Sequence, residues 1–160
     1  MWIENISWHD VQKGRHHDCG ANSMLIQIGD PGDPHPAPKH QFAEVHQFSF
    51  WDTESNVTTF PENEKISDEQ AAEIVALLKH AMGNNMNVIV HCVMGVCRSG
   101  AVADVGVAMG FQDAGNWRAP NLSVKHKMMK ALGWTYDSSE APYQVDEGIV
   151  TITGERMQNV

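Results

Sequence analysis

The sequence predicts an α/β fold, a central, mostly parallel sheet of about four or five strands flanked by helices. Three observations carry the prediction. The β-branched apolar run Asn87–His91 (NVIVH) passes at once into a glycine-containing loop and a helix of small residues, the unit from which buried parallel sheets are built. Ahead of it, from Ser67, apolar residues recur at helical spacing. Ahead of that helix lie two strand-like runs separated by a proline-rich loop.

Taken in order, Met24–Ile28 (MLIQI) is a short apolar run, and Gly29–Pro38 (GDPGDPHPAP) holds four prolines and two glycines and must be a loop. Glu44–Phe50 (EVHQFSF) alternates loosely and is rich in aromatics, as a strand would be. Ser67 and Gln70 form a capping box, Ala71, Ile74, Val75, Leu78 and Met82 make one helical face, and Gly83 ends it. The turn signal Asn84-Asn85 then introduces the Asn87–His91 strand. A small-residue helix is expected from about Arg98 to Met109, and another from Asn121, a good N-cap after Pro120, to Gly133. In the C-terminal part, Ile149–Thr153 reads as a further strand.

Composition bounds the function. The chain has 160 residues, 42% hydrophobic and 19% charged, which fits one globular domain over 1–160. The formal net charge of −9 argues against nucleic acid or an anionic membrane as a partner, so an anion would have to be captured by a local positive site. No stretch approaches the ~18 consecutive apolar residues of a spanning helix, and Met1–Asp10 lacks the features of a secretory signal. Three cysteines, Cys19, Cys92 and Cys97, suit a reducing, cytoplasmic setting better than a disulfide framework.

The chemistry concentrates in His91–Gly100 (HCVMGVCRSG). Cys92 ends a buried strand and Arg98 opens the next helix. Between them Val93, Met94, Gly95, Val96 and Cys97 can curl so that successive backbone N–H groups point inward, with the helix N-terminus adding partial positive charge. Arg98 supplies a planar fork suited to two phosphate oxygens. Helix N-termini and cationic surroundings favour thiolate over thiol, so one short segment provides both a nucleophile and an oxyanion binder. A nucleotide P-loop is excluded, because no GxxxxGK[ST] pattern occurs.

His91, Cys92, Gly95, Arg98 and Ser99 match the His-Cys-x5-Arg-Ser/Thr signature, and the segment resembles that of the cysteine-dependent protein tyrosine phosphatases, most closely the compact dual-specificity branch of bacterial and phage type. The resemblance covers about residues 22–133. It implies a phosphotyrosine protein phosphatase-like fold and hydrolysis through a phosphocysteine on Cys92, with Arg98 and the loop amides holding the equatorial oxygens. It further implies that Ser99 hydrogen-bonds the leaving thiolate and that His91 orients the loop and favours the thiolate.

The reaction also needs an acid for the leaving oxygen, and the resemblance places an aspartate on a separate upstream loop. Asp52, in Phe50-Trp51-Asp52 just past a strand, is the leading candidate; Asp30 and Asp33 are rivals, and Asp18 and Glu54 weaker ones. The 40-residue separation of Asp52 and Cys92 is somewhat longer than in compact relatives, the excess falling in Thr53–Lys65. Arg118-Ala119-Pro120-Asn121 resembles the Arg-x-x-Pro-Asn segment of dual-specificity phosphatases, which implies that Asn121 braces the cysteine loop in addition to capping a helix. Cys97 resembles the second thiol of the low-molecular-weight phosphatases, which implies a reversible disulfide with Cys92.

The loop residues between Cys92 and Arg98 carry no charge, so a monophosphate is favoured over polyanions: a phosphorylated protein or peptide, with phosphotyrosine first. Phe50, Trp51 and Trp117 are candidates to flank the substrate ring. No cofactor is called for, and His16, His17, Cys19, His35 and His40 fit no zinc spacing, so no metal is expected. A monomer is expected. Two readings compete with phosphatase: a rhodanese-like sulfurtransferase or thiol-redox enzyme, which also cradles an anion beside a cysteine, and a non-catalytic phosphate-binding module.

Overall fold

In the computed structural model, which describes residues 1–134, five strands form one sheet in the order β3-β2-β4-β1-β5, every neighbouring pair parallel. The strands are β1 (Trp2–Ser7), β2 (Ser23–Gly29), β3 (Glu44–Ser49), β4 (Asn87–Cys92) and the two-residue β5 (Gln112–Asp113). Helices α1 (Trp8–Lys13), α2 (Asp68–Gly83), α3 (Arg98–Met109) and α4 (Leu122–Ala131) surround it.

Alternation along the strands assigns the two faces. Ile3, Met24, Ile26, Ile28, Val88, Val90 and Cys92 join the main core with α2, α3 and α4, while Ile6, Leu25 and Ile89 face Val11 of α1 and Cys19 in a smaller cluster. α2 keeps its capping box, with Ser67 and Gln70 each bonding the other's backbone N–H at 3.0 Å. The left-handed residue after α2 is Asn85, not Gly83, which remains the last helical residue. α3 is nearly buried and owes its close approach to small residues: a Cβ on Gly106 would lie 2.8 Å from Ile3 Cδ1.

The expected strands at 24–28, 44–50 and 87–91 and the three expected helices are all present. The largest difference is β1, which occupies the slot between β4 and β5. Its sequence WIENIS shows no clean alternation, because Glu4 and Asn5 are polar yet buried and break the apolar pattern. The expected strand at Ile149–Thr153 lies outside the described residues.

Candidate active site

The carboxyl ends of the adjacent strands β3, β2 and β4 lead to Asp52, Asp30 and Cys92, respectively. After Cys92 the chain turns through Val93–Cys97 into the first turn of α3. Gly95 makes this turn possible. Its φ is +77°, and a Cβ there would sit 2.5 Å from the Ser7 nitrogen and 2.7 Å from the Ile6 carbonyl oxygen, so only glycine lets the loop lie against the end of β1.

Donors outside the curl hold the loop's carbonyls. Val93 O accepts from Trp8 N at 3.2 Å, Val96 O from Ala119 N at 3.2 Å, and Cys97 O from Asn121 N and Ala101 N at 2.9 Å each. Gly95 O accepts from Asn5 Nδ2 at 2.7 Å. In a trans peptide the C=O and the following N–H point in opposite directions. With these carbonyls turned outward, the amides of Met94, Val96, Cys97 and Arg98 turn inward, where with the start of α3 they make an anion cup.

At the base of the cup, the buried Cys92 Sγ lies 3.2 Å from Ser99 Oγ and 3.3 Å from Gly95 N, whose N–H points at it. Arg98 is also buried. Its Nη1 donates to Phe50 O at 2.7 Å and pairs with Asp30 Oδ1 at 2.8 Å, while its Nε is buried with no hydrogen-bond partner among the described residues. One edge of the guanidinium is thus anchored and a donor is left over, which is the arrangement an incoming oxyanion needs.

Asp52 is exposed, and its Oδ1 accepts from Asn121 Nδ2 at 2.8 Å. The same amide donates to Thr53 O at 3.2 Å, and Asn121 Oδ1 caps α4 by accepting from Val124 N at 3.0 Å. Asn121 therefore touches the cysteine loop through its backbone N–H, and its side chain holds the Asp52 segment. Glu54 adds to the clasp by accepting from Leu122 N and Ser123 N, at 3.1 and 3.0 Å; burial nonetheless raises its pKa. The segment that follows is tied down by the buried Lys65, which donates to Ser55 O and Val57 O and pairs with Glu62. Trp51 stacks on Phe60 and donates from Nε1 to Glu64 at 2.8 Å.

Two sequence expectations change in this setting. Burial pushes the His91 imidazole down to about 4, so it is neutral at physiological pH. Its contact is from Nδ1 to Cys92 O, at 3.3 Å, so a neutral ring, not an imidazolium charge, lies against the cysteine's backbone. Phe50 is fully buried and cannot flank a substrate ring; its carbonyl serves Arg98 instead. Trp51 is engaged with Phe60 and Glu64, which leaves Trp117 exposed.

Cys97 is half-buried and free. Burial, and then the charge of Asp52, push its thiol up to about 11, with a hydrogen bond to Asp52 contributing. It is protonated at neutral pH and a slow nucleophile toward an oxidised Cys92.

Sequence reasoning missed Asn5, which packs invisibly in an unpatterned strand, and the pairing of Asp30 with Arg98, whose signal was no more than an aspartate after a strand. Two shallow depressions of about 440 and 350 Å³, lined by residues such as Gly20, His40 and Phe42 or His16, Asp18 and Lys39, lie toward the opposite, amino edge of the sheet. No group of three or more His, Cys, Asp or Glu among the described residues is placed to hold a metal. No described helix is long and apolar enough to cross a membrane.

No protein-family model and no curated protein matches this chain. Among solved structures it is similar to OH1 from the Orf virus, described as a tyrosine phosphatase with triple substrate specificity, at a TM-score of 0.44 and 18% identity over 68% of this chain. The match spans 56% of that protein's chain.

Proposed function

We propose that the protein is a cysteine-dependent phosphomonoester hydrolase of the tyrosine or dual-specificity phosphatase kind. The observation that carries this reading is Cys92 Sγ set beneath inward-turned amides, within 3.2 Å of the Ser99 hydroxyl and beside Arg98, whose Nε has no partner among the described residues.

In the first step the Cys92 thiolate attacks phosphorus. A P–S bond forms, the ester P–O bond breaks, and protonated Asp52 gives its proton to the leaving oxygen. The hydrogen bond from Asn121 holds the Asp52 carboxyl in place for that transfer. In the second step water attacks phosphorus and returns a proton to Asp52 as the P–S bond breaks. The departing sulfur recovers the hydrogen bonds from Ser99 and Gly95. Throughout, the loop amides and Arg98 are fixed donors to the equatorial oxygens, a preorganised electrostatic contribution.

The uncharged cup supports a monophosphate on a protein or peptide, phosphotyrosine first. A hydroxyl directly under the sulfur favours phosphoryl over sulfur transfer, because it serves a leaving thiolate.

The test is hydrolysis of p-nitrophenyl phosphate from pH 4.5 to 8, with and without vanadate, in wild type, Cys92→Ser and Asp52→Asn. Vanadate-sensitive activity abolished by Cys92→Ser, with a strong loss in Asp52→Asn, is expected. A folded, reduced wild type without activity would return the choice to sulfur transfer or simple phosphate binding.

A further inference from the structure

The cup is bordered by four segments: Trp8-His9, Phe50–Glu54, Val93–Arg98 and Gly115–Leu122. The segment at 115–122 runs beside the loop, because Asn116 N bonds Asn5 Oδ1 at 3.1 Å while Asn5 holds Gly95, and Ala119 N bonds Val96 O. This border exposes apolar side chains. Met94 is 74% exposed and Trp117 78%, with Val93 and Leu122 also exposed and Trp8 half-buried. These segments adjoin one another through the Asn5 and Val96 hydrogen bonds, and apolar groups exposed together beside a polar cup are the kind of surface that receives a ligand's apolar flanks.

The charges on the same border are lopsided. Its basic side chains are Arg98, Arg118 and the imidazole of His9. Arg98 is buried against Asp30, and Arg118 is neutralised by Asp104 and Asp113, at 2.6 and 2.9 Å. Its acidic side chains, Asp52 and Glu54, have no cation paired to them among the described residues, and the chain's formal net charge is −9. Among the described residues, an acidic peptide would meet these two carboxylates and no unpaired Lys or Arg on this border, only the imidazole of His9; an apolar one would meet Trp117 and Met94.

We infer that the surface around the cup selects phosphotyrosyl segments whose neighbouring residues are apolar, and disfavours segments with acidic neighbours. The inference rests on the phosphatase reading for the position of the phosphate, and extends it from the phosphorylated residue to its flanks. The aryl ester places the chain of the peptide across the border, where Trp117 covers an apolar neighbour. Trp117 is a specificity determinant in this arrangement and takes no part in bond breaking.

The experiment uses Cys92→Ser protein and two fluorescent phosphotyrosyl peptides, matched except that one carries Leu and Phe beside the phosphotyrosine and the other Asp and Glu. Binding is followed by anisotropy at low and physiological ionic strength, with unphosphorylated controls. The apolar-flanked peptide is expected to bind about tenfold more tightly. Adding Trp117→Ala should bring the ratio to within about twofold, since burial against that ring supplies most of the difference. Equal or tighter binding of the acidic peptide, a ratio indifferent to Trp117→Ala, or no binding of either peptide above its control would overturn the inference. Wild-type hydrolysis of p-nitrophenyl phosphate, run in parallel, separates the two proposals. Hydrolysis without a flank preference removes this one alone, and a flank preference without hydrolysis removes the catalytic reading alone.

Discussion

His91 makes the protein's stability depend on pH in a way that can be worked out from its burial. The ring is fully buried on the face of the sheet that carries Gln27, and its pKa falls from 6.5 to about 4. In the unfolded chain the imidazole protonates near pH 6.5; in the folded protein it resists until about pH 4. The unfolded state therefore binds the extra proton over this window, and stability present above pH 6.5 is lost as pH falls toward 4. At ~1.4 kcal/mol per pKa unit, the loss approaches about 3 kcal/mol at the acid end, with about 2 kcal/mol gone by pH 5. That is a large share of the ~5–15 kcal/mol by which domains are stable. Urea unfolding of wild type and His91→Asn at pH 7.5, 6, 5 and 4.5 measures it. The half-buried His35 and His126 are also held below their ordinary values by burial; both are present in both proteins, so the difference between the curves isolates the loss of His91, including its charge interaction with His35. The variant is expected to be the less stable at pH 7.5 and to close the gap steadily on acidification. Parallel curves, with the gap unchanged across the series, would refute the account of His91 as a neutral buried ring.

Three further outcomes are expected. Gly95→Ala forces a Cβ to 2.5 Å from the Ser7 nitrogen at a φ of +77°, and should lower p-nitrophenyl phosphate turnover by about a hundredfold and weaken vanadate inhibition, while far-ultraviolet circular dichroism keeps its shape. Asp30→Ala removes the 2.8 Å partner of Arg98 and should lower kcat by about tenfold; Asp30→Asn, which keeps a hydrogen-bonding group there, should retain more, and equal activity of both with wild type would show that Phe50 O alone suffices. Asn121→Ala should cost ~1 kcal/mol in thermal unfolding through the lost cap, and slow phenyl phosphate hydrolysis more than p-nitrophenyl phosphate hydrolysis, because the poorer leaving group depends more on a well-held Asp52.

The cup's residues were legible because their chemistry is local. Cys92, Gly95, Arg98 and Ser99 lie within one strand-loop-helix passage, where turn geometry and helix polarity follow from a few consecutive residues. The strands at 24–28 and 87–91 and the helix capped by Ser67 were legible for a similar reason: periodicity and caps are short-range signals. Tertiary structure decided what depends on pairing between distant residues. β1 holds the slot beside β4 although its pattern is interrupted by Glu4 and Asn5, because one of them serves the cysteine loop from 90 positions away and the other accepts a hydrogen bond from His17 N. Asp30 and Phe50 O meet on Arg98, and Asn121 reaches across to Asp52, contacts that exist only because parallel strands bring their carboxyl ends to one edge. The protonation of His91 and Cys97 was decided the same way. An isolated imidazole or thiol has its ordinary pKa, and the sheet and helices packed around it set how much water is left to solvate its charge.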